Sequence, residues 1–324
     1  MSDGPADPDG IDRADEAAEI DALWNHLPRT DGEARAEVLD QLGGALVQRG
    51  KHADALMVVD AARTLYEELG SVIDVARCDH NAGVILAELN RLDEARHRYR
   101  VAAERYTVVL CWGEAATSWR AVADLLADAG DVDGALAALA TAAQLHADAD
   151  EPVRAALALM ETGELLLDEE RAEEGRAVLE QARRALRADG ALLWVARCDQ
   201  LLAEAARAEG RWDEAFELVE AARAVFDAAD MDGDRDRCDD LWCSVLIDAG
   251  RSDEAIVRLE RARVTRQSEG DPVGVAWCDL HLSRAHDRLG DPEAAATHRR
   301  RARAVFDAAG LDILLRRREL AVRT

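Results

Sequence analysis

ARAEVLDQLGGALVQRGKHADALMVVDAARTLYEELG, residues 34–70, contains two amphipathic patterns joined by a glycine turn. Leu39, Leu42, Leu46 and Val47 recur at three- and four-residue steps, and a second apolar stripe runs through Ala55, Val58, Val59, Ala62 and Leu65, so the spacing predicts a pair of helices. Gly50 suits a left-handed helix end between them. The same sentence returns every forty residues. Ala62, Ala102, Ala142, Ala182, Ala222, Ala262 and Ala302 form one column, and Ala55, Ala95, Ala135, Gly175, Ala215, Ala255 and Ala295 form a second. A third is always small: Gly43, Gly83, Ala123, Gly163, Ala203, Cys243 and Ser283. Helices pass closely where such residues face one another. The register, held without insertion over residues 35–310, predicts an all-α stack of seven helical hairpins, each neighbour covering the last.

The chain has 324 residues, of which 49% are hydrophobic, mostly Ala and Leu, but only 4% are aromatic and six are Pro. That balance favours helix over strand. Residues 1–10 are polar and read as a disordered tail. Residues 11–34 hold a capping helix, carried by Ile20, Leu23, Trp24 and Leu27, and a linker. Residues 311–324 hold a C-terminal capping helix, with Ile313, Leu314, Leu315 and Leu320 as its apolar side.

The formal net charge is −26, and Lys51 is the only lysine. A field of that sign argues against phosphate backbones and anionic membranes as partners, so neither nucleic acid nor membrane is expected. No apolar run is long enough to span a bilayer, and the N-terminus lacks a secretion-signal pattern. The expected location is the cytoplasm, with the cysteines reduced. Cys78, Cys198, Cys238 and Cys278 share one column on an apolar helix face, where cysteine acts as a small buried hydrophobe. The bias to Ala, Asp and Arg suggests a GC-rich, actinobacterial genome, with a salt-loving source as the alternative.

There is no phosphate loop, nucleophile elbow or metalloprotease helix, so an enzyme is not expected, nor a cofactor. Cys278 and His281 share a helix face, but His286 is turned away by its five-residue spacing, and no metal site is assigned. Asp230, Asp232, Asp234 and Asp236 alternate as in a calcium loop. The sixth and twelfth places of such a loop hold Arg235 and Leu241 instead of Gly and Glu, so the stretch reads as an acidic inter-repeat loop.

The three small columns, with Leu39, Leu42, Leu46 and Val59 between them, resemble the tetratricopeptide repeat family. The forty-residue unit is similar to those of kinesin light chains and of actinobacterial regulator sensor domains. The resemblance implies a right-handed superhelical solenoid whose first helices line a concave groove that takes a protein or peptide. It places Arg77, Arg197, Arg237 and Trp277 in one inward column and His80, Arg120 and Met160 in the next. Glu88, Asp124, Asp128, Glu164, Asp168, Glu204 and Asp248 follow farther along the same helices, so the groove would suit a peptide of mixed charge, with arginine gripping carboxylates. Pairing within one helix, such as Arg77 with Asp74 or Arg237 with Asp234, would instead consume those charges. The expected role is a non-catalytic adaptor or scaffold. Two alternatives stand beside it: a peptide-sensing regulator, and a self-assembling protein joined head to tail. The second rests on residues 1–21, which sum to −7, and residues 298–324, which sum to +5.

Overall fold

The structure, a computed structural model, describes residues 20–310. The tail, the start of the N-terminal capping helix and the whole C-terminal capping helix expected from the sequence lie outside the described residues. So does nearly all of the acidic N-terminal end, whereas residues 298–310 of the basic end are described. Residues 20–26 are helical and run into a 3-10 turn at Leu27–Arg29. Ile20 and Leu27 are buried in one cluster with Leu39, Leu42 and Leu46.

Fourteen α-helices follow among the described residues, and there is no strand. They are α1 (Gly32–Gln48), α2 (His52–Leu69), α3 (Val72–Glu88), α4 (Leu92–Val108), α5 (Trp112–Asp128), α6 (Val132–Asp148) and α7 (Pro152–Asp168), then α8 (Ala172–Asp189), α9 (Leu192–Ala208), α10 (Trp212–Ala228), α11 (Asp232–Asp248), α12 (Ser252–Glu269), α13 (Pro272–Leu289) and α14 (Pro292–Ala308). Odd-numbered helices are the first of each sequence repeat and even-numbered ones the second. Each helix is 17 or 18 residues, about 25 Å long at 1.5 Å per residue. No described helix is long and apolar enough to cross a membrane.

The chain divides into two compact units, one ending at Leu165 and one starting at Leu166. In the first, α1 packs on α2, α3 on α4 and α5 on α6, and α2 also contacts α3 and α4 contacts α5. In the second, α9 with α10, α11 with α12 and α13 with α14 repeat the arrangement. The small columns fall at these contacts. A Cβ on Gly83 would lie 2.8 Å from the Tyr99 ring, and one on Gly43 would lie 2.7 Å from Val59. Ala55, Ala62, Ala95, Ala102, Ala135 and Ala142 are fully buried, as are Ala215, Ala222 and Ala255 in the second unit.

Every turn has the same backbone. A left-handed residue recurs every twenty positions from Gly50 to Gly310, and glycine fills most of these places. The following amide bonds back across the turn, as Lys51 N to Leu46 O at 2.9 Å and Arg211 N to Ala206 O at 2.8 Å, so the carbonyls left open by the helix end are satisfied. Asn90, Leu110, Asp150, Glu170 and Asp230 adopt the same conformation without glycine's freedom. Two kinds of helix start recur. Asp131, Asp271 and Asp291 each accept an amide hydrogen bond from three residues on. Arg91, Arg171 and Arg251 instead clasp Glu94, Glu174 and Glu254 through two hydrogen bonds each of 2.6–2.8 Å. The acid holds its place near the helix's positive end in both cases.

A further pair of columns joins neighbouring hairpins. Arg63 donates to Asp79, Arg183 to Asp199 and Arg223 to Asp239 at 2.8–2.9 Å, each sixteen residues on, and Arg263 lies 4.0 Å from Asp279. Where the arginine is replaced by Ala103 or Ala143, the partner is Trp119 or Leu159. The two positions change together, from ion pair to apolar contact. Breaking such a pair on one side strands a charge, at a typical cost of about 3–5 kcal/mol, whereas replacing both sides is often neutral. Asp199→Leu should therefore lower stability strongly in urea unfolding, and Arg183→Ala with Asp199→Leu should recover most of the loss. A double variant no more stable than the single one would refute the pairing. At the exposed Leu110 (φ +62°), replacement by Gly should raise stability by about 1 kcal/mol, read as a higher unfolding midpoint.

Candidate functional site

The first helices of each unit stand side by side, and polar side chains bridge them at offsets close to one repeat. In the first unit Arg77 of α3 reaches Asp40 of α1 and also Asp74 of its own helix, at 2.8 Å. Its guanidinium lies over the Tyr66 ring, 5.7 Å from the centroid. His80 shares a 2.9 Å hydrogen bond with Ser118 of α5 and meets the edge of Tyr99 at 5.1 Å. Burial pushes the His80 pKa below its ordinary value, so the ring is neutral at pH 7. Arg120 of α5 grips Glu161 of α7 with two donors, one of them Nε at 2.9 Å. Asp124, one turn on from Arg120, has its pKa raised by burial first, and by Glu161 and Asp128.

The sequence-chosen residues thus divide. Arg77, His80 and Arg120 lie on one run of bridging contacts across the first unit. Met160 is buried in the packing. In the second unit Arg197 donates to Gln200 at 2.8 Å, and Arg237 pairs with Asp234 at 3.1 Å while remaining 59% exposed. Trp277 is half-buried and packs edge-on against Phe306 of α14 at 5.0 Å. The same-helix pairing weighed from the sequence occurs at Arg77 with Asp74 and at Arg237 with Asp234, and Arg77 adds a cross-helix contact to Asp40 that the sequence reading did not include. The acidic stretch after Asp230 is not a loop. Only Asp230 lies in the turn, while Asp232, Asp234 and Asp236 occupy the first turns of α11, where their charge faces the helix's positive end.

Sequence reasoning missed three features. In the second unit, Arg266 of α12 is buried and reaches Asp240 (3.3 Å) and Asp236 (3.7 Å) of α11, and the Gly274 carbonyl and Cys278 sulfur of α13. Gly274 makes room for it, since a Cβ there would stand 2.7 Å from Arg266 Cδ. The signal was an arginine inside a buried column that is otherwise aromatic, apart from Leu186 and His146. Asp248 gathers Arg207, Arg284 and Arg288 around one carboxylate. In the first unit, Leu110, Cys111, Trp112 and Gly113 line a cavity of about 330 Å³ with Glu151 and Arg154. The loop before it exposes Val108 (78%) and Leu110 (66%) where other repeats carry polar or glycine turns. Four buried thiols, Cys78, Cys198, Cys238 and Cys243, have pKa values pushed up to about 12 by burial. They behave as inert apolar groups.

Neither the known protein-family models nor the curated proteins include a match to this chain. Solved structures do match. The apo form of RapI aligns with TM-score 0.62 at 12% identity, over 84% of this chain and 99% of that one. The apo form of the quorum sensor NprR from B. thuringiensis aligns with TM-score 0.61 at 14% identity, over 91% and 84%. A signal transduction ATPase with a tetratricopeptide repeat sensor, from Pyrococcus horikoshii, aligns with TM-score 0.67 at 15% identity, over 90% of this chain and 45% of that one. The fold is that of tetratricopeptide-like repeats.

Burial raises the Asp240 pKa to about 6, against the pull of Arg266 and with help from Asp236 and Asp239. An acid whose folded pKa lies above its unfolded value of about 3.9 loses stability on ionising in the fold. The contribution of Asp240 is therefore full below pH 4 and declines as pH rises through 6. Carboxyl NMR should place its midpoint near 6, and Asp240→Asn should flatten the stability profile between pH 4 and 6. A midpoint near 4 would contradict the buried placement.

Proposed function

We propose that this chain is a non-catalytic peptide- or protein-binding module that works through the faces of its first helices. The observation that carries the reading is the mixed charge of those faces. In the first unit Asp40, Arg77, Arg120 and Glu161 bridge successive helices while keeping their side chains partly in solvent. An extended peptide crossing such a face meets an acid, two bases and an acid, and half-exposed guanidiniums retain donors for its carbonyls and carboxylates. The binding residues of this reading are Arg77, His80 and Arg120 in the first unit, and Arg197 and Arg237 in the second. Met160 and Trp277 support them from the packing. The partner is a protein or peptide of mixed charge, met in the cytoplasm, where the buried cysteines stay reduced.

A regulator that senses a peptide is favoured over a passive scaffold by two of the structural likenesses, since one is described as a quorum sensor and another as a repeat sensor. Head-to-tail assembly draws its support from the opposite charge of the chain's ends alone.

The test is amide hydrogen exchange on the full chain with and without a pool of randomised nonapeptides. Slowed exchange should concentrate on α3, α5, α9 and α11. Arg120→Glu should weaken pool binding at least fivefold. Protection confined to the even-numbered helices, or binding untouched by Arg120→Glu, would overturn the assignment of the face.

A further inference from the structure

Two columns of the first helices, neutral or acidic in the earlier repeats, end in arginine. One runs Gln48, Glu88, Asp128, Asp168, Ala208 and Asp248 and ends in Arg288. Its neighbour runs Gly44, Val84, Asp124, Glu164, Glu204 and Ser244 and ends in Arg284. The other first helices carry acidic or uncharged residues at these places, so the packing does not demand arginine. In a chain of charge −26 the reversal is specific to α13.

The geometry shows what the arginines meet. Asp248 of α11 lies between α9 and α13. Its Oδ2 pairs with Arg207 at 2.5 Å, and its Oδ1 lies 3.4 Å from Arg284 NH2 and 3.6 Å from Arg288 NH2. Close charge-assisted bonds run at about 2.7–2.9 Å, so the second and third guanidiniums share one oxygen at long range and keep donors unspent. Nε of Arg207 is buried with no hydrogen-bond partner. Three cations around one anion leave two positive charges. Glu204, one turn before Arg207, is itself engaged in an interaction, and counting it still leaves one. Asp287 is committed to Arg299 of α14 at 2.5 Å. Ser244 and His281, 3.5 Å apart, border the cluster and add no negative charge. Burial lowers the Arg284 pKa, Asp248 works against that, and Arg207 and Arg288 add to it. Arg288 is 63% exposed, so the cluster opens to solvent.

We infer that Arg284 and Arg288 form a carboxylate-binding site, which takes the C-terminal carboxylate or an acidic side chain of a peptide. Asp248 holds the two guanidiniums in place, and Arg207 anchors Asp248. A planar carboxylate matches the two-donor fork of each arginine, and the incoming charge balances the local excess. This inference rests on the peptide-binding reading and names the chemistry of one end of the ligand.

The full chain is titrated with two pools of N-acetylated random pentapeptides. One has a free C-terminus, and the other is amidated and free of Asp and Glu. Binding is followed by fluorescence anisotropy and by the arginine Nε–H NMR signals. The acidic pool should bind at least tenfold more tightly, moving the Arg284 and Arg288 signals, and Arg284→Gln with Arg288→Gln should abolish the difference. Arg288→Gln alone, at the exposed position, reports if the double variant fails to fold. Equal binding of the two pools, or discrimination surviving in the Gln variants, overturns the carboxylate site and leaves the peptide-binding face standing. Binding of neither pool overturns both. Inorganic phosphate displacing the acidic pool at lower concentration than acetate and more strongly than the peptides would assign the cluster to phosphate and overturn the proposal.

Discussion

Everything regular in this protein descends from the left-handed residue that closes each helix. At that residue the chain reverses, the next amide bonds back to the helix it has just left, and the following helix begins two residues later. Because the reversal comes every twenty residues, helix length is set by the turns rather than by intrinsic propensity, which fades only slowly along an Ala- and Leu-rich sequence. Equal helices keep equal register. A residue in one repeat therefore meets neighbours displaced by about forty positions, and each column of the sequence becomes a line across a unit.

Two kinds of line result, and they carry different burdens. The small columns let helices approach until a methyl group would collide, as between Gly83 and Tyr99, and dispersion and burial do the rest. The polar columns set which hairpin sits on which. The Arg–Asp pairs at sixteen-residue separation give way together to Ala with Trp or Leu, so each junction is satisfied by charge or by apolar contact but is never mixed among the described junctions. That consistency guards against a slipped stack, in which a buried carboxylate such as Asp199 would face an apolar residue in place of Arg183.

The hairpins and their small columns were readable from the sequence because alanine and glycine appear there for a single reason, close approach. The turns were readable where glycine occupies them. At Leu110 and Glu170 the left-handed backbone is imposed by the repeat, and nothing in either residue type announces it. The candidate site was less legible. Spacing identified Arg77 and Arg120 as members of one face, but an arginine reaches several ångströms from its column. Its partner at an offset of thirty-seven or forty-one residues, Asp40 or Glu161, is fixed only when the helices are laid together. Burial was misjudged for the opposite reason. Met160 sits in an inward column, yet a flexible apolar chain folds into whatever gap its neighbours leave.

Charge on the first-helix faces follows from the same geometry. Acids set close together on these faces add to one another's electrostatic cost, as at Asp124, where Glu161 and Asp128 add to the upward shift that burial causes. Arg120 and Arg207 each pair with an acid of the next first helix and relieve part of that cost. The last repeat goes past neutrality. Setting Arg284 and Arg288 beside a single Asp248 does more than balance the carboxylate, and an excess of half-enclosed cation is a cost that stacking alone gives no reason to bear. In a fold whose scaffold positions are otherwise interchangeable from repeat to repeat, a departure that destabilises the isolated chain is most simply accounted for by an anion that arrives from outside it.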